Sequence, residues 1–289
     1  MSFSNIILFI IITTISLARG TNVILSAKKS DWVEDTNVIL KNPGMGFTLW
    51  SANNNPKPHP NVSVIYNRFT WSTLEPQEGV YSWTNFDNWM TSISQKNMTF
   101  ATRLMAIGSE TSQQWTPQWM FDKIPAGSKY QVGGEWIYDF SVPVVMSGLK
   151  KMISAFGNHI NGNPHLSHID VGGLGRWGEW HMSGFAFPMP NYTLRKEIID
   201  AHFDAFPDSV IVMQTEIADD LKYAVSRGAG ARGDCFGDYD SSRWCHMVDR
   251  YPQMLALVPE AWKTHPIVWE TCWTIQTWLE FDMDLRQRT

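Results

Sequence analysis

The stretch GRWGEWH, Gly175 to His181, sets one carboxylate, Glu179, between the indoles of Trp177 and Trp180 and two residues before an imidazole. Apolar rings around a carboxyl disfavour its charged form and raise its pKa, as a general acid requires. Flat indoles also stack on sugar rings. A second carboxylate, Glu270, stands in HPIVWETCW next to Trp269 and near Trp273. Two such groups are what glycoside hydrolysis requires: one protonates the leaving oxygen while the other attacks the anomeric carbon. Carboxyls about 5–5.5 Å apart give retention, and a wider gap admits a water and gives inversion. Glu179 is the candidate acid/base and Glu270 the candidate nucleophile.

Other polar and aromatic residues fall at the ends of β-prone runs. NRFTW brings Arg68 and Trp71, and MTFATRLMA brings Arg103. SVIVMQTEI ends near Glu216, and GAGARGDCFGD carries Asp234 and Asp238. The expected pocket has a polar side of Arg68, Arg103, His181, Glu216 and Asp238, with Arg68 or Arg103 keeping the nucleophile ionised. Its stacking side comprises Trp71, Trp177, Trp180, Trp269 and Trp273. Simpler readings stand beside these: Arg68 pairing with a structural carboxylate, His181 as a turn residue, Glu216 as the nucleophile, and any single Trp as core. Glu75 and Glu78, in a Pro/Gly turn, read as surface residues. WCHMVD offers Cys245, His246 and Asp249, but the spacing matches no tight metal motif. No metal and no cofactor are expected. No Gly-x-Ser-x-Gly elbow points to a serine hydrolase.

The elements that would position these residues recur along the chain. Seven β-prone runs begin at 44, 62, 98, 166, 209, 228 and 265, the sixth being Gly-rich rather than β-branched. Helical patterns lie between them: TNFDNWMTSISQKN, PVVMSGLKKMISAFGNHI, NYTLRKEIIDAHFDAF, and YPQMLALVPEAWKTH interrupted by Pro259. Alternation of this kind predicts a parallel sheet covered by helices. Seven units favour an α/β fold of the (β/α)8 TIM-barrel type over a doubly wound sheet. The Gly-x-Gly-x-x-Gly spacing at 228–233 comes late, follows a helical stretch and opens no helix, so it reads as a chance match. Too few residues follow Glu270 for an eighth strand and its helix. The expectation is a barrel truncated after the seventh unit, as a shortened product or a subunit closed by a partner chain.

A chain of 289 residues with 44% apolar content can build one large core. Its net charge of −5, without a basic cluster, excludes nucleic-acid binding as a main role. The 15 Trp match the Phe and nearly double the 8 Tyr. Residues 1–20, apolar from Ile6 to Ile12 with small residues following, read as a secretory signal, leaving 21–289 as a single barrel domain. Sequons at Asn61, Asn97 and Asn191 fit a secreted or lysosomal glycoprotein. No other segment is apolar and long enough to anchor the chain in a membrane. Of three cysteines, Cys235 and Cys245 could close a short loop, leaving Cys272 over; three reduced buried thiols are the alternative.

The run RFTWSTLEPQEGVYSWTNFDNWM (68–90) resembles the second-strand segment of (β/α)8 glycoside hydrolases related to β-galactosidases. With NPGMGF (42–47) and GRWGEWH, the chain looks most like the secreted glycosidase-like barrels of the DUF4832 type, over roughly residues 40 to 275. The resemblance implies a retaining enzyme acting on carbohydrate, with the acid/base on Glu179 after strand four and the nucleophile on Glu270 at strand seven. The superfamily usually places Asn before the acid/base, where it contacts the sugar 2-hydroxyl; here that position is Gly178. A carbohydrate-binding barrel without catalysis is the rival expectation.

Overall fold

The computed structural model describes residues 47–51, 62–108, 113–238 and 244–271. All seven expected strands are present. They are β1 (Phe47–Trp50), β2 (Val62–Thr70), β3 (Thr99–Met105), β6 (Leu166–Asp170), β7 (Ile211–Gln214), β8 (Gly230–Phe236) and β9 (Ile267–Thr271). One sheet joins them in the order β1-β2-β3-β6-β7-β8-β9, every neighbour parallel. Strand order follows chain order without a reversal. A doubly wound sheet would reverse at a switch point, so the arrangement is that of a β/α barrel, seven strands of which lie among the described residues. The glycine spacing at 228–233 runs into β8 instead of opening a helix.

Between the strands run α1 (Trp71–Leu74), α2 (Thr84–Ser94), α3 (Gln118–Phe121), α4 (Pro143–Ile160), α5 (Tyr192–Ala205), α6 (Ala218–Ser226) and α7 (Tyr251–Ala256). Helix α4 shows why the pattern folds this way. Val145, Leu149, Met152, Phe156 and Ile160 recur at three and four residues and are all buried. That spacing makes one apolar stripe, and Pro143 begins the helix where its missing N–H costs nothing. At Gly157 a β-carbon would lie 2.2 Å from the Ala205 carbonyl oxygen, so glycine is what lets α4 and α5 touch. Asn191 caps α5 by accepting from the Leu194 N–H at 3.1 Å.

One element has no counterpart in the seven-unit reading. A hairpin of β4 (Lys129–Val132) and β5 (Glu135–Tyr138) is inserted between β3 and α4. Its two-residue turn, Gly133-Gly134, has φ of 56° and 92°, angles glycine reaches without strain. Glu75 is also not a surface residue. It is buried, accepting from Trp71 Nε1 at 2.7 Å and the Gly79 N–H at 2.9 Å.

Candidate active site

The inner face of the sheet carries charge instead of the layered aliphatic side chains usual in such barrels. Period-two alternation puts Tyr66 and Arg68 on one face of β2, and Arg232 and Asp234 on one face of β8. Arg103 on β3 and Asp170 at the end of β6 meet them. Asp170 is fully buried and accepts from the Tyr66 hydroxyl at 2.6 Å and Arg103 Nε at 3.0 Å, with Arg232 Nε at 3.2 Å. Burial favours its neutral form, but Arg232 and Arg103 outweigh that and bring its pKa down to about 2.

Above this floor lie the expected glutamates and one more acid. Glu179, Asp234 and Glu270 each bring a carboxylate oxygen within 4.8 Å of the other two. Arg68 joins the first and last of them, with Nη1 2.7 Å from Glu179 and Nη2 2.6 Å from Glu270. Arg103 Nη1 adds a second contact to Glu179 at 3.1 Å, and Arg232 Nη2 a second to Glu270. Asp234 has the weakest countercharge: its nearest is Arg232 Nε, at 3.7 Å, and its Oδ1 is buried with no hydrogen-bond partner among the described residues.

The electrostatics correct one expectation. Burial alone would push Glu179 up, as the flanking indoles suggested. The His181 hydrogen bond and the charges of Arg103 and Arg68 outweigh it and hold the carboxyl at about 2. Burial, followed by the charge of Glu179, raises Asp234 to about 7 against Arg232 and Arg103. A cation would meet three carboxylates here, but also the guanidinium groups of Arg68, Arg103 and Arg232, which already hold oxygens of Glu179 and Glu270. This donor set suits a shared proton better than a metal.

Glu179 is presented by a strained turn. Trp177 and Trp180 have φ of 54° and 62°, left-handed values rare for bulky residues, and Gly175 and Gly178 have 78° and 72°. Backbone bonds hold the turn open: Trp177 N–H to Ile107 O at 2.8 Å, and Arg176 N–H to His181 O at 2.8 Å. Trp180 secures it from below, buried, with Nε1 donating to Val171 O at 2.7 Å. It is therefore a core residue and not a stacking platform. So is Trp71, buried against Trp119 with its Nε1 on Glu75.

A cavity of about 400 Å³ opens over the carboxylates, lined by Trp50, Arg68, Met105, Trp115, Trp177, Glu179, Asp234, Glu270 and Thr271 among others. That is large enough for one or two sugar rings and lies within the usual range for ligand sites. Trp50 and Trp115, neither singled out in the sequence, take the place of Trp71 and Trp180. Arg68 stacks under Trp50, its guanidinium carbon 4.6 Å from the ring centre. His181 Nε2 is 3.6 Å from Glu179.

Three expected residues lie elsewhere. Glu216 pairs with Arg250 at 3.3 Å, and Asp238 with His246 at 3.0 Å. Trp269 alternates with Glu270 along β9 and packs against Tyr251 and Phe236. Trp273 and Asn61 lie outside the described residues. Asn97 and Asn191 are exposed. The Cys235–Cys245 bridge does not form: Cys245 is a free thiol buried in the core, while Cys235 is engaged in a disulfide. Burial shelters the Cys245 thiol from the exchange that closing such a loop requires. No helix among the described residues is long and apolar enough to cross a membrane.

The glycoside hydrolase family model Glyco_hydro_42, described as β-galactosidase, matches residues 51–172, less than half of the chain. The matched segment includes Arg68, Arg103 and Asp170 and stops before Glu179. No curated protein matches the chain significantly. Among solved structures, xylanase 10B from Thermotoga petrophila, in complex with xylobiose, has 12% identity and a TM-score of 0.48, covering 81% of this chain and 73% of its own. A xylanase from Paenibacillus barcinonensis, complexed with a conduramine derivative, has 11% identity and a TM-score of 0.43, covering 75% and 80%. Endo-glycoceramidase II from Rhodococcus sp., as its lactosyl-enzyme intermediate, has 9% identity and a TM-score of 0.40, covering 73% and 65%. Over its first strands, then, this chain is similar to the β-galactosidase-type barrel glycosidases.

Proposed function

We propose that the protein is an O-glycoside hydrolase acting on an oligo- or polysaccharide by retaining double displacement. The observation that carries this is the convergence of Glu179 from the turn after β6, Asp234 from β8 and Glu270 from β9 within 4.8 Å beneath an indole-lined cavity. Glu179 and Glu270 are close enough for direct attack and too close to admit the intervening water of an inverting enzyme. Glu270 takes the nucleophile's part. Its side chain is 29% exposed against 10% for Glu179, so it reaches the cavity more freely. Arg68 and Arg232 offset its charge until it attacks.

The test is Glu270→Gln and Glu179→Gln assayed on a panel of aryl glycosides, with product stereochemistry followed by NMR. Loss of turnover in Glu270→Gln, and retained configuration with the unaltered protein, support the reading. Unchanged turnover in both variants sinks it. Binding on a glycan array without hydrolysis would favour a carbohydrate-binding barrel instead. Kinship with the DUF4832-type barrels and passage through the secretory route belong to the same proposal. The leader-like residues 1–20 and the exposed Asn97 and Asn191 support the second. A mobility shift of the expressed protein on endoglycosidase digestion checks it.

A further inference from the structure

The glycosidase reading requires one carboxyl to carry a proton to the departing oxygen, and the sequence placed that proton on Glu179. The inner face of the sheet argues otherwise. Three guanidinium groups, Arg68, Arg103 and Arg232, serve four carboxyls: Asp170, Glu179, Asp234 and Glu270. Asp170 meets Arg103 and Arg232, Glu179 meets Arg68 and Arg103, and Glu270 meets Arg68 and Arg232. Each of these three has two guanidinium contacts. Asp234 has one distant contact, at 3.7 Å, and an oxygen buried without a hydrogen-bond partner among the described residues. A buried carboxyl that lacks a close cation keeps its proton, because ionisation there is opposed by lost hydration and by neighbouring negative charge.

Resting on the glycosidase reading, we propose that Asp234 is the general acid/base of this site and that Glu179 is a positioning residue. Asp234 lines the cavity beside Glu270. In the first step Glu270 bonds to the anomeric carbon as the glycosidic C–O bond breaks. The bonding pair stays on the leaving oxygen, which takes the proton from Asp234. In the second step water gives a proton to the Asp234 carboxylate and its oxygen bonds to the anomeric carbon, releasing Glu270. Asp234 ends protonated, as it began. Glu179 keeps its negative charge throughout and anchors Arg68 and Arg103 in the gap between the acids.

The groups facing Asp234 all bear on its titration: Arg232 on its own strand, Arg103 from β3, Glu179 from the turn after β6, Glu270 from β9, and Tyr251 from α7. Burial and the charge of Glu179 push Asp234 up, while His181, Arg103 and Arg68 hold Glu179 down, so a proton shared between the two resides on Asp234.

The experiment compares the unaltered protein with Asp234→Asn, Asp234→Glu and Glu179→Gln in two measurements. Infrared difference spectra across pH 5–9 read the protonated-carboxyl band directly, whether or not a substrate turns over. That band should titrate near neutrality, vanish in Asp234→Asn and persist in Glu179→Gln. Kinetics on glycosides of graded leaving-group acidity read the role. Asp234→Asn should lose about 10²–10⁴-fold in kcat/KM on poor leaving groups and much less on activated aryl ones. It should also lose the alkaline limb of the pH profile, and Asp234→Glu should restore part of the rate. A band that survives Asp234→Asn and disappears in Glu179→Gln overturns the proposal, as does an alkaline limb that follows Glu179. If the unaltered protein cleaves no glycoside, the hydrolase reading itself fails and takes Asp234's catalytic part with it, while the infrared band still shows which carboxyl holds the proton.

Discussion

Arg68 Nη2 lies 2.6 Å from Glu270 Oε2 across 202 positions of sequence, while the other arm of the same guanidinium reaches Glu179 at 2.7 Å. A planar fork can serve two carboxylates at once; a lysine ammonium on the same stem is a single point charge. Arg68→Lys should therefore keep the fold but lower kcat/KM on a cleaved glycoside by about 10²-fold, in the range found when one preorganised electrostatic group is removed. Arg68→Met should be worse and should also unfold more easily, because breaking a buried pair costs about 3–5 kcal/mol. Steady-state kinetics with parallel thermal melts measure both effects. Full activity in Arg68→Lys would show that the bridge does not organise the site.

The superfamily's Asn before the acid/base position cannot simply be restored here. Gly178 has φ +72°, which asparagine tolerates, but a β-carbon would sit 2.8 Å from the Leu104 carbonyl oxygen. That oxygen also accepts from the Gly173 N–H at 2.8 Å and has little room to retreat. Gly178→Asn and Gly178→Ala should each destabilise the protein by about 1–3 kcal/mol, since the cost arises at the β-carbon both share. Urea unfolding decides it; an Asn variant as stable as the parent would contradict the close approach.

Acid stability follows from buried groups that refuse protons in the fold, His168, His202, Glu179 and Asp170, and is opposed by Asp234. Burial lowers His168 and His202 from 6.5 to about 4, so below 6.5 the unfolded chain takes two protons that the folded one refuses. Asp234, raised from 3.8 to about 7, holds one proton in the fold that the unfolded chain has lost over the same window. The balance is one proton, so stability should fall by about 1.4 kcal/mol per pH unit between roughly 6.5 and 4 as pH falls. Asp234→Asn removes the opposing term and should double that slope. Below about 4.5 the Glu179 contribution, and below about 4 that of Asp170, are lost as well, as pH falls toward 2. Denaturant midpoints at pH 7, 5.5 and 4.5 measure it, and identical slopes in the two proteins would refute the Asp234 term.

Much of this architecture is legible in the sequence, for identifiable reasons. Strands such as β2 and β7 show themselves as β-branched runs, and α4 by its repeat at three and four, whereas the Gly-rich β8 and the exposed β1 are legible mainly from their place in the alternation. Glu179 and Glu270 are legible as strand-end carboxylates among indoles. What sequence could not supply is orientation. Trp177 and Trp180 lie three residues apart in one aromatic run, and both have left-handed φ, yet Trp180 is sealed under the turn while Trp177 faces the cavity, a difference that only the tertiary packing sets. Asp234 and Asp238 sit in the same Gly-rich run. The Arg-x-Asp alternation at 232 and 234, once β8 is placed as an inward strand, is the signal that separates them. The charges on Glu179 depend on Arg68 and Arg103 together, a three-body arrangement that no local pattern encodes.

The contacts around Asp170 and Glu270 span long stretches of chain: Tyr66 to Asp170 crosses 104 positions, and Arg68 to Glu270 crosses 202. Contacts of such length are closed late and slowly in folding, since loop entropy must be overcome first. During synthesis Arg68 and Arg232 emerge well before Glu270. Until β9 docks, their positive charges face one another across the sheet with one counterion missing. Docking of that strand then both neutralises the repulsion and brings in Glu270, the carboxylate proposed as nucleophile, so on that proposal a molecule that has not finished folding lacks the group that would attack.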